Sequence, residues 1–277
     1  KQIETDNCKV LITSDRIEIY EEIREQLYAV IERGKCIELL PVPEQIAVKR
    51  CVPLVMEKMK KEGMAYHPAK TNSDFYLPLL LIDLIQRTIL LTYDYFEIWQ
   101  LDKVFELYKN GIIGQKISEG QGVVLDVGAN IGNHTLYFCN EYHAKKVYCF
   151  EPVKETFAMI RENIKLNHLE ERVVLNQFGL GEKDCKGTAN YYKLNNIGGT
   201  SLRQDERGEL VIRSLDGIGI DEPIVLIKID VEGMERDVIK GGIELIKRNR
   251  PYIMVESFED AFPETQELLC GIGYKYE

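Results

Sequence analysis

The segment from Val123 to Asn133 constrains this chain more than any other. An apolar, β-branched run (Val123–Val124–Leu125) meets Asp126, turns through Gly128 and Gly132, and opens a helical pattern from Thr135 to Tyr142. That order reads as the first strand–turn–helix of an open α/β sheet, whose ligands sit at the carboxyl ends of the strands. Glycine suits a backbone that turns sharply or lies against a ligand, and the following helix offers unpaired N–H groups at its start. The turn reads Gly-x-x-x-Gly, with Asn130 where a dinucleotide fingerprint carries its middle glycine. A pyrophosphate would therefore meet a side chain, whereas a cofactor without phosphate, such as S-adenosylmethionine, would not.

The chain's 277 residues suffice for one large or two small domains. Forty-five acidic residues outweigh 35 basic ones, for a net charge of −10 and a pI near 5.1. That balance counts against general nucleic-acid binding, which draws on phosphate neutralisation. Seven scattered cysteines with no Cys-x-x-Cys spacing point away from a zinc site or a disulfide framework. They suit a reducing, cytoplasmic setting. Leu77 to Leu91 is the most apolar stretch, but Asp83, Gln86 and Arg87 interrupt it, so it reads as a buried helix and not a membrane span. No signal peptide is read. The chain opens on Lys1 instead of Met, so its ends are not taken as complete.

Residues 1–92 read as a mainly helical N-terminal region, a substrate cap, dimerisation element or packing accessory, and residues 93–277 as the ligand-binding domain. Helices are predicted to end near Gly34, to run from Glu44 towards Lys61, and to cover Leu77 to Leu91 and Glu97 to Tyr108. From Gly122 strands and helices alternate. Strands are predicted at 147–150, 173–176, 224–229 and 252–255, with a short extra one at 211–213 and another beginning at Tyr274. Helices are predicted at 154–166, 235–247 and 264–269. Such alternation implies a doubly wound, mostly parallel, Rossmann-like sheet with helices on both faces.

Two further features carry chemistry. Glu151 ends the second strand, where an acid can accept hydrogen bonds from both ribose hydroxyls of an adenosine cofactor. In Lys228–Ile229–Asp230–Val231–Glu232–Gly233, strand alternation puts Lys228, Asp230 and Glu232 on one side. A lysine in a central strand needs neighbouring carboxylates.

These segments, with Phe150–Glu151–Pro152, Ser214–Leu215–Asp216, Glu235 and Gly241–Gly242, resemble the FkbM family of class I S-adenosylmethionine-dependent methyltransferases. The resemblance covers residues 93 to 277. It implies O-methylation of a sugar, glycoconjugate or related natural-product hydroxyl, with a small-molecule or glycan acceptor. It implies that Gly128, Ala129, Asn130, Gly132 and Asn133 form the cofactor turn, that Asp126 orients the methionine end and that Glu151 holds the ribose. The third strand runs into Asn176–Gln177–Phe178 with no acid for the adenine amino group, which leaves the Gln177 side chain or the backbone near Phe178 for that role. Methyl transfer from a sulfonium requires alignment, exclusion of water and removal of the acceptor's proton. Asp230 is the first choice of base, ahead of Glu232 and His134, and no metal is implied.

The loop Asn195–Asn196–Ile197–Gly198–Gly199–Thr200–Ser201 is read as able to fold over substrate. Methylation of nitrogen or RNA, a non-catalytic domain that keeps the fold, and a nicotinamide oxidoreductase are the alternatives. The acidic balance disfavours RNA, the intact acids disfavour decay of the site, and Asn130 disfavours the nicotinamide.

Overall fold

Apolar runs bounded by turn residues become the strands of a single parallel sheet. The computed structural model describes residues 10–12, 36–38, 65–79, 83–190, 196–257 and 261–275, and the chain divides into two compact units, Lys1–Lys58 and Met59–Glu277. In the first unit, β1 (Val10–Ile12) and β2 (Cys36–Glu38) pair in parallel, Val10 opposite Cys36. The helices read from the sequence before Gly34 and from Glu44 lie outside the described residues.

The second unit begins with an irregular segment, residues 65–79, and then α1 (Leu84–Thr92), α2 (Ile98–Asp102) and α3 (Ile112–Ser118). Asp83 caps α1 by accepting from the Gln86 amide at 3.0 Å, so this helix starts well after Leu77. A wide turn over Lys103–Leu107 and a tight one over Tyr108–Gly111 separate α2 from α3, a helix that the sequence reading omits. Residues 65–79 pack with this unit because Asn163 and Asn167 accept hydrogen bonds from the backbone of Tyr76 and Asp74.

Then follow β3 (Val123–Val127), α4 (Asn133–Asn140), β4 (Val147–Phe150), α5 (Lys154–Leu166) and β5 (Val173–Asn176). Next come β6 (Gly179–Leu180), β7 (Cys185–Asn190), β8 (Ser201–Gln204) and β9 (Leu210–Arg213). The unit closes with β10 (Ile224–Ile229), α6 (Glu235–Gly241), α7 (Ile243–Asn249), β11 (Tyr252–Val255) and α8 (Phe262–Gly271). The main sheet has the order β11-β10-β3-β4-β5, all parallel, and β6-β9-β7-β8 form a second, mixed sheet. The doubly wound reading therefore holds for the main sheet. Only β9 of the second sheet is foreseen, and Tyr274 stands outside any strand.

Strand alternation divides the core. Val124, Val147 and Cys149 face α3, α4 and α5, while Val123, Leu125, Val127 and Ile227 face α6 and α7. β3 and β10 are buried along their whole length, as central parallel strands must be. The helix predicted over 235–247 breaks at Gly242. There Asp216 takes over the capping, accepting from the amides of Glu244 (3.1 Å) and Leu245 (2.8 Å) at the start of α7. Among the described residues no helix is long and apolar enough to cross a membrane.

The chain runs outward from β3 through β4 to β5, then returns to the other side of β3 as β10. This reversal is the switch point at which an open α/β sheet forms its crevice. Lys228 of β10 is in register with Asp126 of β3, and its ammonium lies 3.6 Å from Asp126 Oδ1, 3.0 Å from Asp230 Oδ2 and 3.1 Å from the Gly128 carbonyl. Burial by itself would lower the Lys228 pKa. The charges of Asp230 and Asp126 outweigh it, so the lysine is held charged above its ordinary range.

Replacing Lys228 by Met is expected to destabilise the protein by about 3–5 kcal/mol in urea unfolding, because Asp126 becomes a buried charge without a counter-ion. Adding Asp126→Asn should recover part of the loss. An unchanged midpoint in the single variant would show that the ion network is dispensable.

A second expectation concerns Gly128, at φ +79°. A Cβ here would lie 1.7 Å from the Asp230 carbonyl oxygen, so any side chain at this position attacks the fold itself. Gly128→Ala should lose about 3 kcal/mol or more, combining left-handed strain with overpacking. Gly219→Ala is the control, with similar φ (+77°) and nothing within 4 Å, and should lose only about 1–2 kcal/mol. Equal losses would mean that the close approach to Asp230 has no weight.

Candidate active site

The turn after β3 is shaped by backbone bonds. The amides of Gly128 and Ala129 donate to the Phe150 carbonyl at 3.0 and 3.1 Å, and Gly132 donates back to Ala129 at 2.8 Å. Asn130 takes a left-handed conformation (φ 48°), which its short polar side chain tolerates. Its amide donates to Glu151 Oε2 at 2.9 Å, while Glu151 Oε1 accepts from the Val153 amide at 2.9 Å. The acid at the end of β4 thus braces the turn after β3. Burial raises the Glu151 pKa, opposed by hydrogen bonds from Thr156, Val153 and Asn130 and by the charge of Lys228.

These residues edge a cavity of about 260 Å³ at the carboxyl ends of β3, β4 and β10. Gly128, Ala129, Asn130, Asn133, His134, Glu151, Asp230 and Glu232, eight of the residues singled out from the sequence, line it together. Asn133 has a second task, because its side chain pairs with the Phe96 amide at 2.9 Å and the Phe96 carbonyl at 3.1 Å. It thereby holds the segment before α2 against the turn.

Four others stand elsewhere. Asp126 is fully buried beneath the cavity, accepting from Thr135 Oγ1 at 2.6 Å, and its Oδ1 has no hydrogen-bond donor, only the Lys228 charge. Gly132 packs towards Ile160. Gln177 is exposed, and Phe178 lies against Phe150 (5.7 Å between ring centroids) with the Arg213 guanidinium over it, so neither lines the cavity. The Gln177 side chain is therefore not part of the lining, but the backbone directly after Phe178 is, since Gly179 lines the cavity with Leu180 and Leu202.

The predicted loop is present as part of the enclosure, since Asn196, Ile197, Gly198 and Thr200 all line the cavity. Asp83 ties this loop to α1, with Oδ1 accepting from the Ile197 amide at 3.0 Å and Oδ2 from Gln86. Asn195 lies outside the described residues.

Sequence reasoning misses Glu97 and Glu256. Glu256 follows β11 directly, its amide donating to the Ile229 carbonyl at 2.9 Å. The signal was available, since an acid at a strand's carboxyl end is also what marks Glu151 and Asp230. Glu97 stands before α2 with φ 60°, its Oε2 3.5 Å from His134 Nε2, too far for a good hydrogen bond. His134 Nε2 is accordingly buried without a hydrogen-bond partner.

One end of the cavity is therefore rich in carboxylates. Asp230 is held by Lys228, whereas Glu232 and Glu256 have no cation of their own among the described residues. Partial burial first, then Asp230 and Glu235, push Glu232 up to about 6 against the pull of Lys228. Partial burial, then Asp230, Glu97 and, more weakly, Glu232 push Glu256 up to about 7, again against Lys228. Glu256 counts as exposed by area because the cavity it lines is open, yet its walls displace bulk water from the carboxylate. The arrangement offers carboxylates that take up protons near neutral pH, with no free cation for an anionic ligand among the lining residues at this end.

Known methyltransferases are similar to this chain. Residues 126–276 match a family model described as the methyltransferase FkbM domain. Methyltransferase 1 of Beauveria bassiana is 25% identical, over 43% of this chain, which spans 57% of that protein's length. The 2-O-methyltransferase NoeI of Sinorhizobium fredii is 28% identical over 54% of this chain and 69% of its own. Among solved structures, the methyltransferase FkbM of Methylobacillus flagellatus is similar with a TM-score of 0.42 and 13% identity, covering 97% of this chain and 79% of that one. With more than half of its residues matched by the family model, the chain belongs to the FkbM family of S-adenosylmethionine-dependent methyltransferases.

Proposed function

We propose that the acceptor of this methyltransferase is a hydroxyl of a sugar, a glycoconjugate or a related natural product. The observation that carries the reading is the carboxylate-rich end of the cavity, where Asp230, Glu232 and Glu256 converge. Carboxylates accept hydrogen bonds from neutral hydroxyls and can take a proton from one of them. The same charges repel phosphate or carboxylate on an acceptor. NoeI, 28% identical, is by name a 2-O-methyltransferase, which supports oxygen as the methylated atom.

The cavity's residues fit the cofactor. With the Asn130 and Val153 amides and the Thr156 hydroxyl already donating to it, the Glu151 carboxylate keeps acceptor capacity towards the cavity for ribose hydroxyls. Asn130 in place of a glycine suits a ligand without pyrophosphate. Gly128 to Asn130 would hold the methionine end, and Gly179, Leu180 and Leu202 supply wall on the side of β6 and β8. S-adenosylmethionine supplies an electrophilic methyl group on a positively charged sulfur. The protein's own part is to align the acceptor oxygen, to shut out competing water beneath α1 and the 196–200 loop, and to take up the acceptor's proton.

Glu151→Ala is expected to weaken S-adenosylmethionine binding at least tenfold by calorimetry. Two charge-assisted hydrogen bonds at about 1.5–3 kcal/mol each make this a cautious figure. Removing the carboxylate also releases the Asn130 amide. Unchanged affinity in a variant with wild-type thermal unfolding would take Glu151 out of the cofactor site.

A mass-spectrometric screen of neutral sugars, glycosides, lipid-linked glycans, sugar phosphates, amines and short RNA should find methyl uptake on a neutral hydroxyl acceptor. Glu151→Ala should suppress that uptake. Transfer confined to amines or RNA would overturn the reading.

A further inference from the structure

The sequence favours Asp230 as the base, but the geometry points elsewhere. Asp230 Oδ2 is bonded to the buried ammonium of Lys228 at 3.0 Å, so its charge and one oxygen are already committed. Glu256 projects from the next strand end into the same cavity, and no hydrogen bond to its carboxylate is formed among the described residues. Beside this cluster His134 lines the cavity, and its buried Nε2 lies 3.5 Å from Glu97 Oε2 without a hydrogen bond.

We propose that Glu256 is the proton-accepting group of this site, and that arrival of the positively charged methyl donor is what ionises it. The proposal rests on the cavity's being the methyl-transfer site. Among the described residues the charged groups that face Glu256 are Asp230, Glu232 and Glu235 after β10, Glu97 before α2 and, as the cation, Lys228. Partial burial, with Asp230, Glu97 and Glu232 against the Lys228 ammonium, keeps Glu256 near pKa 7, so near neutrality it is in part protonated without the donor. A cation entering the cavity stabilises the carboxylate and drives the proton off. Donor binding then sets the base in its active form, and a base matched to the working pH is the most effective one.

The transfer step balances. The acceptor's O–H proton goes to the Glu256 carboxylate as an oxygen lone pair forms the O–CH₃ bond. The S–CH₃ bond breaks and its electron pair stays on sulfur. A cation and a carboxylate are consumed, and a neutral thioether, an ether and a carboxylic acid remain.

The test is calorimetry of the full chain at pH 7 in two buffers of different ionisation enthalpy, which counts the protons released on binding. Wild type should release about half a proton more with S-adenosylmethionine than with its uncharged demethylated product. Glu256→Gln should lose that difference while binding the demethylated product as wild type does, which also shows that it is folded. Glu232→Gln should keep it. With the acceptor from the screen, Glu256→Gln should lower turnover by about 10²-fold or more, with cofactor affinity within a few-fold. Equal release with both ligands in wild type, release retained in Glu256→Gln, or full turnover of that variant would each overturn the proposal. Failure of wild type to bind either ligand would instead defeat the cofactor site itself, and this proposal with it.

Discussion

One buried ammonium organises the molecule's centre. Lys228 lies at the switch point of the sheet, where β3 and β10 run side by side, and it joins Asp126 on one strand to Asp230 beyond the other. An ammonium at this depth is tolerated only with good partners, and here they are two carboxylates and the Gly128 carbonyl. The pairing sets the height of one strand end against the other. It also explains why Gly128 cannot carry a side chain, since the Asp230 carbonyl is drawn up against it. The cavity opens just above this arrangement, so its floor is rigid because the charge beneath it has to be compensated.

The same pairing decides what remains for chemistry. Lys228 is consumed internally, by Asp126 below and Asp230 above. Glu232 and Glu256, pushed up to about 6 and 7, are left facing the cavity without a cation of their own among the described residues. A lining with surplus negative charge and partly protonated carboxylates complements a positively charged donor beside a neutral, hydroxyl-bearing acceptor. It opposes a phosphorylated one. The chain's overall net charge of −10 has the same sign, but it is the local arrangement that bears on the acceptor.

Much of this was legible in the sequence because parallel sheets advertise themselves. β3, β4, β5, β10 and β11 are apolar runs bounded by turn residues, and the acids Glu151, Asp230 and Glu232 sit at their ends. Other features left no such trace. β7, running from Cys185 to Asn190, shows no alternation of apolar and polar residues, and β6 is two residues long, so the second sheet goes unread apart from 211–213 of β9. Gly242 looks like a tolerated glycine inside one helix, and only the distant Asp216, capping α7, turns it into a boundary. Asp126 stands one residue before the end of its strand, where Thr135 and Lys228 cover it, so it stays beneath the cavity. Gln177 was chosen by its place after β5, and it lies exposed.

Residues that precede the family match contribute to the enclosure. Leu84, Ile85, Phe96 and Glu97 all line the cavity, and all precede the family-matched residues 126–276. Two buried polar side chains bring them there. Asp83 bridges the start of α1 to the Ile197 amide, and Asn133 clasps the Phe96 backbone. Neither contact can be read from spacing, because each joins residues far apart in the chain. The loop over the cavity is therefore not an independent flap. Its position is coupled through Asp83 to α1, and Gly198 leaves just enough room for Ile85 and the Asn130 side chain to meet it. The glycine turn and the carboxylates at the ends of β4, β10 and β11 come from the residues that match the family, while part of the enclosing wall, Glu97 included, is built from sequence that lies outside that match.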